Sequence, residues 1–205
     1  MKNLLLILLC LPVIGFGQNV YIPDANFKAY LVGSTSPSGI NTNGDNEIQV
    51  SEAAAYAGTL DCNGLNISDL TGLEAFTSII KLYCDVNQLT SLDVSANTAL
   101  TTLNCYDNQL TSLDVSQNTA LISLKCFENQ ITSLDVSQNP VLSLLVCFDN
   151  QITSLDLSQN GDLLELTCWS NQITSLDVSQ NTTLTYVQCQ NNQLTYLNVA
   201  NGNNV

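Results

Sequence analysis

From residue 59 onward the apolar residues fall in short alternating phrases. Leu100-x-x-Leu103-x-Cys105-x-x-Asn108 is followed at once by Leu110-x-x-Leu113-x-Val115-x-x-Asn118. Within each phrase, Leu-x-Cys or Leu-x-Val has the period of two that turns both side chains to one side of a strand. The pattern predicts two short strands per repeat, each ended by an Asn whose amide bonds the backbone of the next coil. The double phrase then recurs. Cys84, Cys105, Cys126, Cys147, Cys168 and Cys189 are 21 residues apart, and Cys62 precedes Cys84 by 22. A fixed period of this length marks a solenoid, in which each repeat is one coil stacked on the last. Coils about 4.8 Å apart make the six turns a rod of roughly 30 Å. Each position of the repeat becomes a column on that rod, so function is read from columns.

The periodicity divides the chain into residues 1–17, 18–58 and 59–205. Residues 1–17 read as a cleaved secretory signal, with Lys2 as the charged start, an apolar stretch from Leu4 to Ile14, and Gly15-Phe16-Gly17 before Gln18. The apolar stretch is too short to span a membrane. Cys10 follows Leu8-Leu9 rather than a small residue, which argues against lipid attachment. The expected destination is secretion or the cell surface. Residues 18–58 form a non-repetitive head, with a helix over 24–34 started by Asp24 and carrying Phe27, Tyr30 and Leu31 at helical spacing. That helix is expected to cover the first coil of the solenoid. The chain stops at Asn203-Asn204-Val205 with no capping element in view, which fits either an unusual cap or a fragment.

Composition closes several routes. The 205 residues carry a formal charge of -14, with no His and no Arg. Without His there is no Ser-His-Asp or Cys-His machinery and no His-based metal site. Without Arg there is no bidentate clamp for phosphate or carboxylate. Lacking basic patches, the chain is not expected to bind nucleic acid, and no segment is long enough for membrane insertion. The hydrophobic content of 45% is enough for a core, so the acidity does not imply disorder. A paired-carboxylate hydrolase is disfavoured because the acids fall in lines rather than in a cleft.

Four columns carry the candidate chemistry. The seven thiols point inward, where free Cys serves as a small buried hydrophobe; disulfides between parallel neighbours and a zinc rail are the less favoured readings. Next to them, on the outward face, stand Tyr106, Phe127, Phe148 and Trp169, with Asp85 before and Gln190 after. Asn104, Lys125, Val146, Thr167 and Gln188 run on one side, and Asp107, Glu128, Asp149 and Ser170 on the other. An exposed apolar strip marks an interaction site. Aromatics flanked by carboxylates and amides suit a protein surface or sugar rings, and simple cross-strand packing is the bland alternative. The third column is Asp93, Asp114, Asp135, Asp156 and Asp177, ending at Asn198. Like charges at coil spacing repel, so the column needs solvent, hydroxyl donors from Ser112 and its equivalents, or bound cations to offset them; a hydrogen-bonded face is favoured. The fourth, Thr90, Thr111, Thr132, Thr153, Thr174 and Thr195, is placed in bends, which argues against a flat ice-binding face.

The head holds the sharpest local motif. Asn41-Thr42-Asn43-Gly44-Asp45-Asn46-Glu47-Ile48-Gln49-Val50-Ser51-Glu52 aligns with a 12-residue calcium loop: Asn41, Asn43 and Asp45 at positions 1, 3 and 5, the Glu47 carbonyl at 7, Glu52 at 12. Position 1 is Asn, the glycine comes early at Gly44, and Asn46 must then supply the left-handed turn at position 6. With only Asp45 and Glu52 bringing charge, the expectation is a weak, structural calcium site of roughly 0.1–1 mM. A polar turn capping a helix is the alternative.

The LxxLxLxxN spacing, with Cys or Val at the third apolar position, is the leucine-rich-repeat signature, and its alternating 10- and 11-residue halves resemble the nested IRREKO-type bacterial class. Leu60-Asp61-Cys62-Asn63-Gly64-Leu65-Asn66-Ile67-Ser68-Asp69-Leu70-Thr71-Gly72-Leu73 resembles an internalin-type repeat. The chain after its leader is similar to secreted repeat proteins of Bacteroidetes such as flavobacteria. The resemblance implies a β-rich solenoid, a leucine-rich-repeat coil stack with short parallel strands and a small helical N-terminal cap. It also implies recognition rather than catalysis, with no fixed ligand. The expected ligand-binding residues are Tyr106, Phe127, Phe148 and Trp169, rimmed by Asp107, Glu128 and Asp149. The favoured partner is a protein; a polysaccharide or adhesive role, and a structural spacer with no ligand, stay open.

Overall fold

A computed structural model describes residues 17–33 and 36–202. The leader reading therefore lies, apart from Gly17, outside the described residues. The head supplies two helices, α1 (Ala25–Val32) and α2 (Val50–Ala55). Then come β1 (Thr59–Asp61), a 3-10 turn at Leu73–Ala75, β2 (Lys81–Tyr83), β3 (Thr102–Asn104), β4 (Ser123–Lys125), β5 (Leu144–Val146), β6 (Glu165–Thr167), β7 (Ser175–Asp177), β8 (Tyr186–Gln188) and β9 (Tyr196–Asn198). Seven of these strands form one parallel sheet in the order β1-β2-β3-β4-β5-β6-β8. Leu82, Leu103, Leu124, Leu145 and Leu166 pair in unbroken register down its middle. The period of 21 residues thus becomes a stack of coils, and the fold is a leucine-rich-repeat solenoid.

The second half of the repeat behaves differently from expectation. Its apolar residues do point inward, with Val115 fully buried and Leu113 nearly so. Yet it forms paired strands only at β7 and β9, with one isolated bridge between Asp93 and Asp114. Each Asp accepts a hydrogen bond from the backbone N–H of the Ser two residues on, at 2.9 Å, and turns the chain.

Two asparagine ladders hold the coils together. In the first, the Asn129 amide donates to the Cys105 carbonyl of the preceding coil at 3.0 Å and to Cys126 and Phe127 of its own, while its oxygen accepts from Leu110 N–H. In the second, Asn139 donates to Val115 and Asn118. Both ladders reach back to the previous coil rather than forward to the next. Buried backbone groups that no strand pairs thereby find partners.

The head seals the first coil. Asp24 caps α1 by accepting from Asn26 and Phe27 N–H, and its second oxygen accepts from Ser68 N–H and hydroxyl at 2.9 and 3.0 Å. Burial would raise this carboxyl, but those hydrogen bonds outweigh it and hold it below its ordinary range. Phe27, Leu31, Ile40 and Ile48 are fully buried and continuous with the solenoid core. At Gly72 (φ +105) the head comes so close that a Cβ would lie 2.8 Å from Ile22 and 2.9 Å from the Tyr21 carbonyl. Only glycine suits both the backbone angle and the approach. Among the described residues, no helix is long and apolar enough to cross a membrane.

Candidate functional site

The aromatic column follows from the sheet register. Tyr106, Phe127, Phe148 and Trp169 each follow an inward Cys and so point outward, one per coil. Their rings form a continuous stack: Tyr106 to Phe127 at 4.2 Å and 7°, Phe127 to Phe148 at 4.3 Å and 16°, Phe148 to Trp169 at 4.3 Å and 10°. All four are half-buried. The faces of Phe127 and Phe148 are covered by their neighbours, so these rings offer their edges to solvent.

The column has a distinct lower end. Asp85 occupies the ring position one coil earlier and is only 5% exposed. Burial pushes its carboxyl up, while a hydrogen bond from the Tyr106 hydroxyl partly offsets this. The same contact, added to burial, pushes the Tyr106 hydroxyl up. Of the four lysines in the chain, Lys81 and Lys125 lie on the outward side of β2 and β4 and make no ion pair among the described residues. Lys28 of α1 pairs with Glu47 at 2.7 Å.

The rim acids sit in a conformation that periodicity could not reveal. Asp107, Glu128 and Asp149 have φ of 50°, 52° and 48°, part of a left-handed column that also holds Val86, Ser170 and Asn191. Each N–H donates to the carbonyl of the aromatic-column residue in the following coil: Asp107 to Phe127, Glu128 to Phe148, Asp149 to Trp169. Asp and Asn tolerate this region best, so part of their presence here is a backbone requirement. Asp107 and Glu128 are exposed and Asp149 half-buried. Val86, β-branched at φ 55°, is the strained member.

The other columns are structural. Six of the seven thiols are buried and the last, Cys189, is half-buried; all are free. Burial pushes Cys62, Cys105 and Cys168 up to about 12 and Cys84, Cys126 and Cys147 well above the ordinary range, so they stay protonated. The Asp column is exposed and hydrogen-bonded, but its donors are the N–H and hydroxyl of Ser95, Ser116, Ser137, Ser158 and Ser179 rather than Ser112 and its equivalents. These bonds hold all five carboxyls below their ordinary range. The Thr column is exposed at every coil.

In the head loop, Asn41 accepts from Gly44 N–H, Asn43 from Asp45, and Asp45 from Glu47. Glu52 accepts from Thr42 N–H and hydroxyl, from Asn43 N–H and, at its other oxygen, from Gln49 N–H at 3.0 Å, completing a capping box on α2. Those bonds outweigh burial and hold Glu52 below its ordinary range. The left-handed residue is Gly44 (φ 72°), not Asn46, so the loop turns two positions earlier than a standard calcium loop. Among the described residues, no three His, Cys, Asp or Glu side chains gather to hold a metal ion.

No protein-family model matches the chain. Over 79 residues it is 40% identical to Internalin J of Listeria monocytogenes serotype 4b (strain F2365), a stretch covering 38% of this chain and 8% of that protein. The solved functional domain of InlJ from Listeria monocytogenes, which includes a cysteine ladder, is 34% identical with a TM-score of 0.58, covering 88% of this chain and 52% of that one. Internalin C2 from the same species shares the fold, at 18% identity and a TM-score of 0.59 over 86% of this chain and 92% of that one. The present chain thus spans about half of the solved InlJ domain and a small part of the curated protein. It is a leucine-rich-repeat solenoid whose relatives are internalin-like.

Proposed function

We propose that the chain is an exported recognition module that docks a protein on the outward face of its seven-stranded sheet. One observation carries this reading: the repeat varies across that face and in the short bend that precedes it, whereas its second half is nearly constant until the last coil. Thr-Ser-Leu-Asp-Val-Ser recurs unchanged at 90–95, 111–116, 132–137 and 174–179, and with one Val-to-Leu change at 153–158. The outward sheet positions of successive coils instead read Thr102, Ser123, Leu144, Glu165, Tyr186 and Asn104, Lys125, Val146, Thr167, Gln188. A repeated face serves folding; a varied face carries an address. Phe127, Phe148 and Leu144 make an apolar centre over the buried Val146, with Lys125, Glu165, Glu128 and Asp149 around it, the arrangement of a protein interface.

The stacking favours a protein over a polysaccharide. A pyranose packs on the face of an aromatic ring, and the Phe127 and Phe148 faces are covered at 4.2–4.3 Å. Ring edges in a row suit the irregular surface of a protein. The test is retention of cell-surface proteins and insoluble polysaccharides by the chain from Gln18 onward. Phe148→Ala is expected to lower retention of a protein about 30-fold, as truncation of a central anchor does. Asp135→Asn on the repeated face should leave it unchanged. Equal retention by Phe148→Ala and the parent, both folded, would sink the reading and make the stack mere packing.

The head loop carries a second, structural role in this reading: weak calcium binding that tightens the cap, supported by the successive turns that wrap the Asn41, Asn43 and Asp45 side-chain oxygens. Calcium at ten times a millimolar Kd is expected to add about 1.4 kcal/mol, which is a rise in Tm of about 3–6 °C. Asp45→Asn should abolish the rise. A parent Tm that is the same in calcium and in chelator removes calcium from the account.

A further inference from the structure

Where α1 meets the first coil lies a cavity of about 400 Å³, lined by Asn26, Ala29, Tyr30, Asp61 and Leu65. Its walls are held in place. The Tyr30 hydroxyl accepts from Asp61 N–H at 2.8 Å, and the Asn26 amide donates to the Asn66 carbonyl at 3.0 Å. One of the two Asn26 side-chain N–H donors is thereby engaged, while its side-chain oxygen remains an acceptor. Asp61 projects outward from β1 and is exposed; one of its oxygens accepts from the Asn63 amide, and among the described residues no cation lies within ion-pair distance of its carboxylate. Ala29, Leu65 and the Tyr30 ring add an apolar wall beside this charge, which no cation neutralises among the described residues. An apolar stem ending in a positive charge matches that combination, and a molecule of net charge -14 attracts it.

Asp61 also has a definite place on the sheet. It pairs in register with Tyr83 and heads the outward column that continues through Asn104, Lys125 and Val146. The cavity therefore opens at the head end of the varied face. We infer that it receives a basic side chain, lysine or arginine, of the protein that docks there. The identity of the occupant rests on the proposed function; the preference of the cavity for a cation does not.

The probe is n-butylguanidinium, with neutral n-butylurea as its control, titrated into the full chain at constant ionic strength and followed by amide NMR. The expected result is a saturable shift confined to Asn26, Ala29, Asp61 and Leu65, weakened about tenfold by Asp61→Asn, as loss of a charged hydrogen-bond partner implies. Ala29→Trp, which fills the cavity from the helix surface, should block it while the rest of the spectrum is unchanged. Equal response to n-butylurea, indifference to Asp61→Asn, or shifts spread along Asp93 to Asp177 would overturn the inference. So would a protein partner retained equally by Asp61→Asn, since the occupant would then be a small free amine. A partner indifferent to Phe148→Ala overturns the docking reading instead and leaves the cavity result standing.

Discussion

Asp85 stands where the next four coils carry a ring, and its environment shows what one side chain does to the whole. It is 5% exposed, and its relief from burial comes chiefly from the Tyr106 hydroxyl, with a smaller contribution from the Lys125 charge. Burial raises its carboxyl in the folded state, so folding disfavours the ionised form. Below its unfolded pKa both states are protonated and nothing is lost; as pH climbs through the raised folded value, stability falls. Asp85→Asn keeps an acceptor for Tyr106 and removes the charge. It should raise Tm at pH 7 and leave it almost unchanged at pH 3, measured by thermal unfolding at both. A lower Tm at pH 7 would refute this account. The Asp93–Asp177 column has the opposite sign, since Ser hydrogen bonds depress those carboxyls and their contribution is lost as pH falls through the depressed values.

At the scale of the element, a coil is too short to hold itself. Its strands are three residues long, and the side-chain amides supply what the missing ladder does not. Asn129 satisfies three carbonyls and one N–H across two coils. Asn129→Ala leaves those groups without partners in the interior, at a cost of about 3 kcal/mol or more. Asn192 makes equivalent bonds in a coil that water reaches. Asn192→Ala should therefore cost less than half as much, by urea unfolding of the two variants side by side. Equal costs would mean that the ladder acts through each Asn alone and not through its burial.

Across the whole molecule, burial is uniform along the rod until the last coils. Cys62 to Cys168 lie fully inside, protonated and shielded, whereas Cys189 is half-buried. In the native chain from Gln18 onward, a thiol reagent is expected to label Cys189 alone, and the other six only in denaturant. Mass mapping of the labelled peptides decides this. Early labelling at Cys126 or Cys147 would show that the stack opens in its middle and that coils are not held cooperatively.

The amino-acid sequence alone determines the coil, its period, the inward columns of Leu, Val and Cys, the outward column of rings and the Asp24 cap. A repeat gives each residue the same neighbours one coil away, so a local pattern becomes a global position without knowledge of the fold. Tertiary structure decided the rest. The period put four rings in line, but only side-chain packing turned their faces together and left their edges outward. It aligned the acids, but the left-handed bend at Asp107, Glu128 and Asp149, and the Ser N–H groups that hold the Asp column, depend on backbone angles that no spacing records. The Asn bonds run backward because of how one coil rests on the last. The cavity at Asp61 was out of reach of the sequence for the plainest reason: its walls come from α1 and β1, brought together only when the head folds onto the first coil.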